Sequence, residues 1–399
     1  MKAQPLLKTF LVFVIVIFGC NQKTDLILSK QPYIKTTSLV PSDSFSISTK
    51  NAFDLYSTSL SYLTNAESEY ISILNPNTQT ISLYKNEDSQ VSREIKIEIE
   101  GPNGIGELGF DSSHFLFSQD SIYIYNLQIG SLFLINEKGE VLNRYTITDY
   151  SDSINFPAPY PSNVRPIQSD FKQLFFPCGI NNYPNDYENY PSVLSIDLES
   201  GQIKYPITYS NVYDQAFYGL SFKYDTGIAF NKNDNSITIS YPVDNFIYKY
   251  YTENGNIEMK YGGSEHFDQI EFYDADPDKF ERIDFINENE KLKNHALSNS
   301  DFAGILYDQF RNYYYRIAYI RPTIDEVKSG KTIPELSIII LDENLNKVGE
   351  DLFSSKIYDN SLLFISSSGL NIARKDLFEA DENFIFFDTF IPKGIKDSK

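Results

Sequence analysis

The chain has 399 residues, 54 acidic against 34 basic side chains for a formal charge of −20, 30 Tyr, 30 Phe and no Trp. The length does not force a division, because closed all-β architectures run past 200 residues as one unit, and the β-favouring aromatics supply ample core material. The negative balance, with no concentration of Lys or Arg, excludes nucleic-acid recognition through phosphate neutralisation.

Residues 1–19 read as a lipoprotein signal peptide. Lys2 and Lys8 make a basic start, Phe10 to Phe18 is an uninterrupted apolar run too short to span a bilayer, and Gly19-Cys20 closes it. Ile17-Phe18-Gly19-Cys20 resembles the bacterial lipobox, which makes Cys20 the expected lipidation site; Phe18 is larger than the residue usual there, and an ordinary cleaved signal is the alternative. With Cys20 acylated, Cys178 is the sole remaining thiol and no intramolecular disulfide can form. Residues 20–48 are expected to be a lipidated, polar tether, with Ser44 to Ser48 entering the sheet, and 49–399 to form the folded body.

Within that body, Asp120 to Tyr145 reads as three short strands with a sharp turn at Asn136-Glu137-Lys138-Gly139, where Asn self-bonds and Gly tolerates positive φ. The same grammar, an apolar strand ending in Asn or Asp, a turn and another strand, recurs at Asn75, Asp197, Thr252 and Asp342. The spacings are 61, 61, 55 and 90 residues, and the long interval contains Asp274 to Leu297, an acidic stretch that predicts a loop and a short helix near 286–298. With Leu362 to Ile391 as a last set, the pattern predicts an all-β, six-bladed β-propeller closed by an N-terminal strand. A pair of β-sandwiches is the alternative, but sandwiches do not impose a recurrence of about 60 residues.

Gly101-Pro-Asn-Gly-Ile-Gly106, Gly109-Phe110, Asp120-Ser-Ile-Tyr-Ile-Tyr125 and Leu134 to Gly139 resemble the NHL-type six-bladed propeller pattern. With the lipobox and Tyr307 to Arg316, the stretch from Tyr62 to Pro392 resembles the Bacteroidota lipoprotein family called domain of unknown function 4221, which brings no established activity.

No catalytic constellation stands out. His114, His266 and His295 never reach a metal-binding i, i+4 spacing. Asp274-Ala-Asp276-Pro-Asp278 alternates carboxylates as a Ca²⁺ turn does, but it lacks the Gly and the bidentate Glu of an EF-hand. Gly101 to Gly106 lacks the Gly-Lys-Ser/Thr ending of a phosphate loop, and Asn231 to Asn235 reads as a turn. No metal or cofactor is therefore expected.

Two segments depart from the repeat with recognition chemistry. Phe156 to Pro191 reads as a long loop offering exposed rings and amides, with Tyr183, Tyr187 and Tyr190 as ligand candidates, and Arg311 and Arg316 flank a tyrosine-rich strand. For the strand the bland reading is that Tyr313, Tyr314 and Tyr315 are core and Arg316 pairs with a carboxylate; for the loop it is that its prolines merely stiffen a connection. The expectation is an outer-membrane lipoprotein, on the periplasmic or surface face, held to the membrane through Cys20. It would bind a peptide, glycan or envelope protein without catalysis; carboxylate-based glycoside processing in the funnel is the alternative.

Overall fold

The computed structural model describes residues 31–49, 53–55, 58–64, 68–85, 90–148, 157–181, 183–184, 186–268, 270–274 and 285–395. The signal peptide, Cys20, Phe156, Asp276 and Asp278 lie outside the described residues.

The chain enters as β1 (Thr37–Ser48), which is set aside until the end. Blade 1 is β2 (Ser59–Thr64), β3 (Glu69–Asn75), β4 (Thr80–Lys85) and β5 (Val91–Lys96), and blade 2 is β6 (Ser113–Ser118), β7 (Ser121–Asn126), β8 (Ser131–Ile135) and β9 (Val141–Thr146). Blade 3 uses β10 (Ala158–Pro159), β11 (Gln168–Ser169), β12 (Gln173–Gly179), β13 (Pro191–Asp197) and β14 (Ile203–Thr208). Blade 4 is β15 (Gly227–Asn231), β16 (Ser236–Ser240), β17 (Phe246–Tyr251) and β18 (Ile257–Tyr261). Blade 5 is β19 (Asp301–Asp308), β20 (Tyr313–Ile320), β21 (Glu335–Leu341) and β22 (Lys347–Phe353). Blade 6 contributes β23 (Tyr358–Ser366), β24 (Gly369–Arg374) and β25 (Phe384–Gly394), and β1 pairs antiparallel with β25 to complete it. Every sheet is an antiparallel meander, so the result is the expected six-bladed β-propeller.

Ring closure explains why the N-terminal segment is ordered. Without β1, the backbone groups of β25 would form an open edge; with it, Phe45 stacks on Phe387 and Ile47 is buried at the junction of blades 6 and 1. The closing strand starts at Thr37, seven residues before the expected Ser44, and takes up the last twelve residues of the segment read as a tether. An apolar cluster fills each seam between blades: Leu74, Ile81, Ile122 and Ile124 between blades 1 and 2, Tyr125, Phe176 and Leu194 between 2 and 3, and Tyr315, Ile317, Leu363 and Leu370 between 5 and 6.

The Asn136 turn is built as its sequence dictates. Asn136 Oδ1 accepts from the Lys138 and Glu140 amides, and Gly139 sits at φ +81°, where a Cβ would lie 2.6 Å from the Lys96 carbonyl. Asp197, Thr252 and Asp342 likewise close the turns between third and outer strands, but Asn75 closes the turn between β3 and β4, one strand earlier in its blade. The first 61-residue interval thus joins unlike positions, because any tight antiparallel turn can carry the Asn signal. The expected helix appears as α1 (Phe285–Ser298), followed by the short α2 (Ile324–Lys328) and α3 (Lys375–Ala380). Among the described residues no helix is long and apolar enough to cross a membrane.

Candidate functional site: a channel divided into two cups

The inner strands β2, β6, β15, β19 and β23 run in one direction around the axis, and their starting ends define the upper mouth. Blade 3 breaks this pattern. Its inner strand is split: β10 pairs with the Cys178–Gly179 end of β12, β11 with the Leu174–Phe175 end, and the chain between them leaves the sheet. There it makes a tight turn in which Ser162 and Arg165 exchange both backbone hydrogen bonds.

That turn reaches across the channel. Asn163 accepts from the Leu60 amide at 2.7 Å and donates to the Thr58 carbonyl at 2.8 Å in blade 1; Arg165 donates to the Ala303 carbonyl in blade 5. Val164 packs with Ala303 and Leu306, and its carbonyl presses so close to Gly304 that a Cβ there would sit 1.9 Å away. The turn is therefore a plug that separates an upper cup of about 910 Å³ from a lower cup of about 300 Å³, with Ser162 and Asn163 in the wall of both.

The upper cup is charged. Asp301, at the first position of β19, accepts from Arg321 Nε and Nη2 at 3.0 and 2.9 Å and meets Lys223 Nζ at 2.8 Å. Burial alone would raise this carboxyl, but Arg321 and Lys223 hold it below the usual carboxylate range. Burial pulls Lys223 down to about 8, with Arg321 adding to the fall and Asp301 opposing it. Arg321 lies over the Phe222 ring at 4.9 Å. Beside this triad, Arg165 Nη2 pairs with Asp225 at 3.1 Å. Burial raises Asp225 against the pull of Arg165, and the charges of Asp111 and Asp301 push it the same way. Asp111, itself raised by burial, makes no ion pair with a described residue. Asp359 accepts from the Ser361 and Leu362 amides as a turn cap, and Tyr319 donates to the Asn360 carbonyl. Phe110, Phe222, Ile333 and Phe378 give the same cup apolar wall.

None of these residues stood out in the sequence, yet a signal was present. Asp111, Asp225, Asp301 and Asp359 each fall within two residues of the start of an inner strand, so an acidic residue repeats at the channel mouth in four blades.

The residues singled out from sequence go elsewhere. Phe156 to Pro191 is not one long loop, since it carries β10, the plug, β11 and β12. Tyr187 and Tyr190 are only 6% and 7% exposed, and Tyr183 is partly buried. The rings expected at the surface sit with Tyr209, Tyr213 and Tyr224 in the core between blades 3 and 4, Tyr187 stacking on Tyr224 at 5.5 Å and Tyr183 meeting Phe217 edge-on at 5.0 Å. Burying large rings outweighs leaving them wet, and three of the six hydroxyls find carbonyls: Tyr183 that of Gly219, Tyr209 that of Tyr224 and Tyr213 that of Lys223.

Arg316 is fully buried and pairs with no carboxylate among the described residues. It donates to the carbonyls of Tyr241, Asp244, Asn245 and Gly262 and to Ser240 Oγ, and its guanidinium lies 3.3 Å from the Phe302 ring centre. Burial pulls it down to about 9. It fastens blade 4 to blade 5 and reaches neither cup. Arg311 pairs with Asp308 at 3.1 Å and donates to the Ser367 carbonyl, bridging blades 5 and 6. His114 is held between Ser59 Oγ at 3.0 Å and Ser72 Oγ at 2.8 Å, and Cys178 is buried and free. Asn231 to Asn235 is the β15–β16 turn, as expected. Among the described residues no group of three or more His, Cys, Asp or Glu side chains could hold a metal.

Comparison places this geometry among known proteins. A crystal structure of a DUF4221 member from Bacteroides vulgatus superposes with a TM-score of 0.75 at 20% identity, covering 91% of this chain and all of that one. A candidate exported protein from Bacteroides fragilis superposes with a TM-score of 0.51 at 12% identity, covering 90% of this chain and 96% of that one. No curated protein matches the chain. Residues 36–352 match the family described as Domain of unknown function (DUF4221), and the chain belongs to that family.

Proposed function

We propose that this protein is a lipid-anchored binding propeller of the cell envelope that receives a peptide or a loop of a partner protein in its upper cup. The observation that carries the reading is the state of the cup's charges. Asp301 is held by two cations, Asp225 by Arg165 and Asp359 by backbone amides, so these groups are preorganised to receive hydrogen bonds and charge rather than poised to shuttle protons. Apolar wall beside paired charges suits a polypeptide, which presents both kinds of surface. The lipobox ending at Cys20 and the export suggested for the similar Bacteroides fragilis protein support the envelope location.

A photo-crosslinking residue at Phe110, on the rim of the cup, tests the reading in intact cells. It is expected to capture a discrete partner that the same residue at Leu142, on the outer strand of blade 2, does not. Identical capture from both positions, or from neither, would refute it.

A second reading has its own observation: burial raises both Asp111 and Asp225, and the Asp111 charge adds to the rise at Asp225. Glycoside cleavage needs one protonated and one ionised carboxyl, and in an interacting pair the charge of the first to ionise holds the proton on the second. Release of reducing ends from polysaccharide that disappears in both Asp111→Asn and Asp225→Asn would favour it over binding alone.

A further inference from the structure

The lower cup is built from different chemistry. Each of the six blades contributes an aromatic ring to its wall: Tyr62, Phe117, Phe171, Phe230, Phe310 and Phe364. Between the rings lie hydroxyls and amides, Ser61, Thr64 and Gln309 among them, and among the described wall residues Lys232 alone carries a permanent charge. In a chain with 54 acidic residues, none of the described wall residues is Asp or Glu.

Phe171 marks this cup as more than leftover space. It sits at the tip between β11 and β12 with φ +69°, a region that bulky side chains rarely adopt, and its side chain is 69% exposed. The turn holds it there through Phe171 N to Ser169 Oγ at 2.9 Å and the Lys172 and Gln173 amides to Asp170 Oδ1. Glycine or asparagine would fit this backbone without strain. A phenylalanine here costs conformational energy and gains little burial; its ring meets Phe117 edge-on at 5.8 Å, and the residue lines the cup. Strain kept at an exposed aromatic residue is the mark of a contact made to something else.

The wall narrows what that something is. A cationic ligand is disfavoured, because Lys232 repels it and no carboxylate among the described wall residues attracts it. A long acyl chain has nowhere to run, because the plug closes the floor. What remains is a compact ring with an apolar face to lie on aromatic rings and hydroxyls at its edge to meet amides and hydroxyls. We propose that the lower cup is a carbohydrate-binding site that stacks a terminal sugar ring against Phe171, Phe117 and Phe310, with Lys232 placed to favour an acidic sugar over a neutral one. The site is separate from the upper cup and does not depend on what binds there.

Isothermal titration of the full chain with a galacturonic acid oligosaccharide and the matching galactose oligosaccharide tests this. The acidic sugar is expected to bind tighter, and Lys232→Ala to bring the two together. Phe171→Gly is the decisive variant: it removes the ring and relaxes the backbone, so affinity is expected to fall tenfold or more while Tm stays level or rises. A variant with unchanged affinity, or one whose Tm falls, assigns Phe171 to packing and overturns the site. So does the absence of binding by either sugar at millimolar concentration, whereas equal affinity for both overturns only the role of Lys232. Leu142→Ala, far from either cup, is expected to bind as the parent does.

Discussion

Replacing Arg316 tests how this ring is held together. From its place on β20 the side chain makes six hydrogen bonds, one to Ser240 Oγ and five to carbonyls in the β16–β17 turn, at Phe246 where β17 starts, and just after β18. Arg316→Ala leaves those carbonyls dry, at about 1–3 kcal/mol for each that finds no other partner. It also removes the stack on Phe302, a contact of about 2 kcal/mol when desolvated. Against these losses stands relief from burying a guanidinium without a counter-charge. The net loss is about 4 kcal/mol, a large share of a typical total of 5–15 kcal/mol. Urea denaturation of the parent, Arg316→Ala and Arg316→Lys measures it. Lysine keeps the charge but cannot spread donors over carbonyls on several sides, so it is expected to recover less than half of the loss. A loss under about 1 kcal/mol for alanine, or full recovery with lysine, would refute the view that this fork fastens blade 4 to blade 5.

Asp301→Asn leaves Lys223 and Arg321 buried together without a carboxylate, and unfolding free energy is expected to drop by about 3–5 kcal/mol; an unchanged urea midpoint would show that water reaches the triad. His114 gives a pH dependence. Burial holds its folded pKa at about 3, below the ordinary 6.5. Its contribution is therefore complete above pH 6.5 and declines as pH falls from 6.5 toward 3, by about 1.4 kcal/mol per unit. Stability measured between pH 6 and 4 should fall less steeply in His114→Gln, and parallel slopes would remove His114 from the account. Asn163→Ala strips the plug of both its bonds to blade 1, with an expected loss of about 2 kcal/mol in the same denaturation assay; a neutral result would mean that Val164 and Arg165 hold the turn by themselves. A chain lacking 37–48 exposes the edge of β25 and should aggregate when concentrated, which light scattering reads directly; a monodisperse product would contradict the closing role of β1.

The sequence by itself determined the repeat. Alternating apolar strands, Asn- and Asp-led turns and one helical interruption are local properties, written in residues a few positions apart, and they were enough to specify blades, their number and the existence of a closing strand. It could not determine which turn belonged to which pair of strands: Asn75 carries the same signal one strand earlier in its blade. Nor could composition tell a wet ring from a buried one: Tyr183, Tyr187 and Tyr190 lie in a segment as polar as any surface loop and still pack inward, because their partners Tyr209, Tyr213 and Tyr224 come from residues beyond the next hairpin. Arg316 found carbonyls from the neighbouring blade in place of the expected carboxylate. Both cups were decided by tertiary structure alone, since the charges of the upper one come from five blades and the rings of the lower one from six, and the turn that divides them exists only where Asn163 can reach across the channel to blade 1.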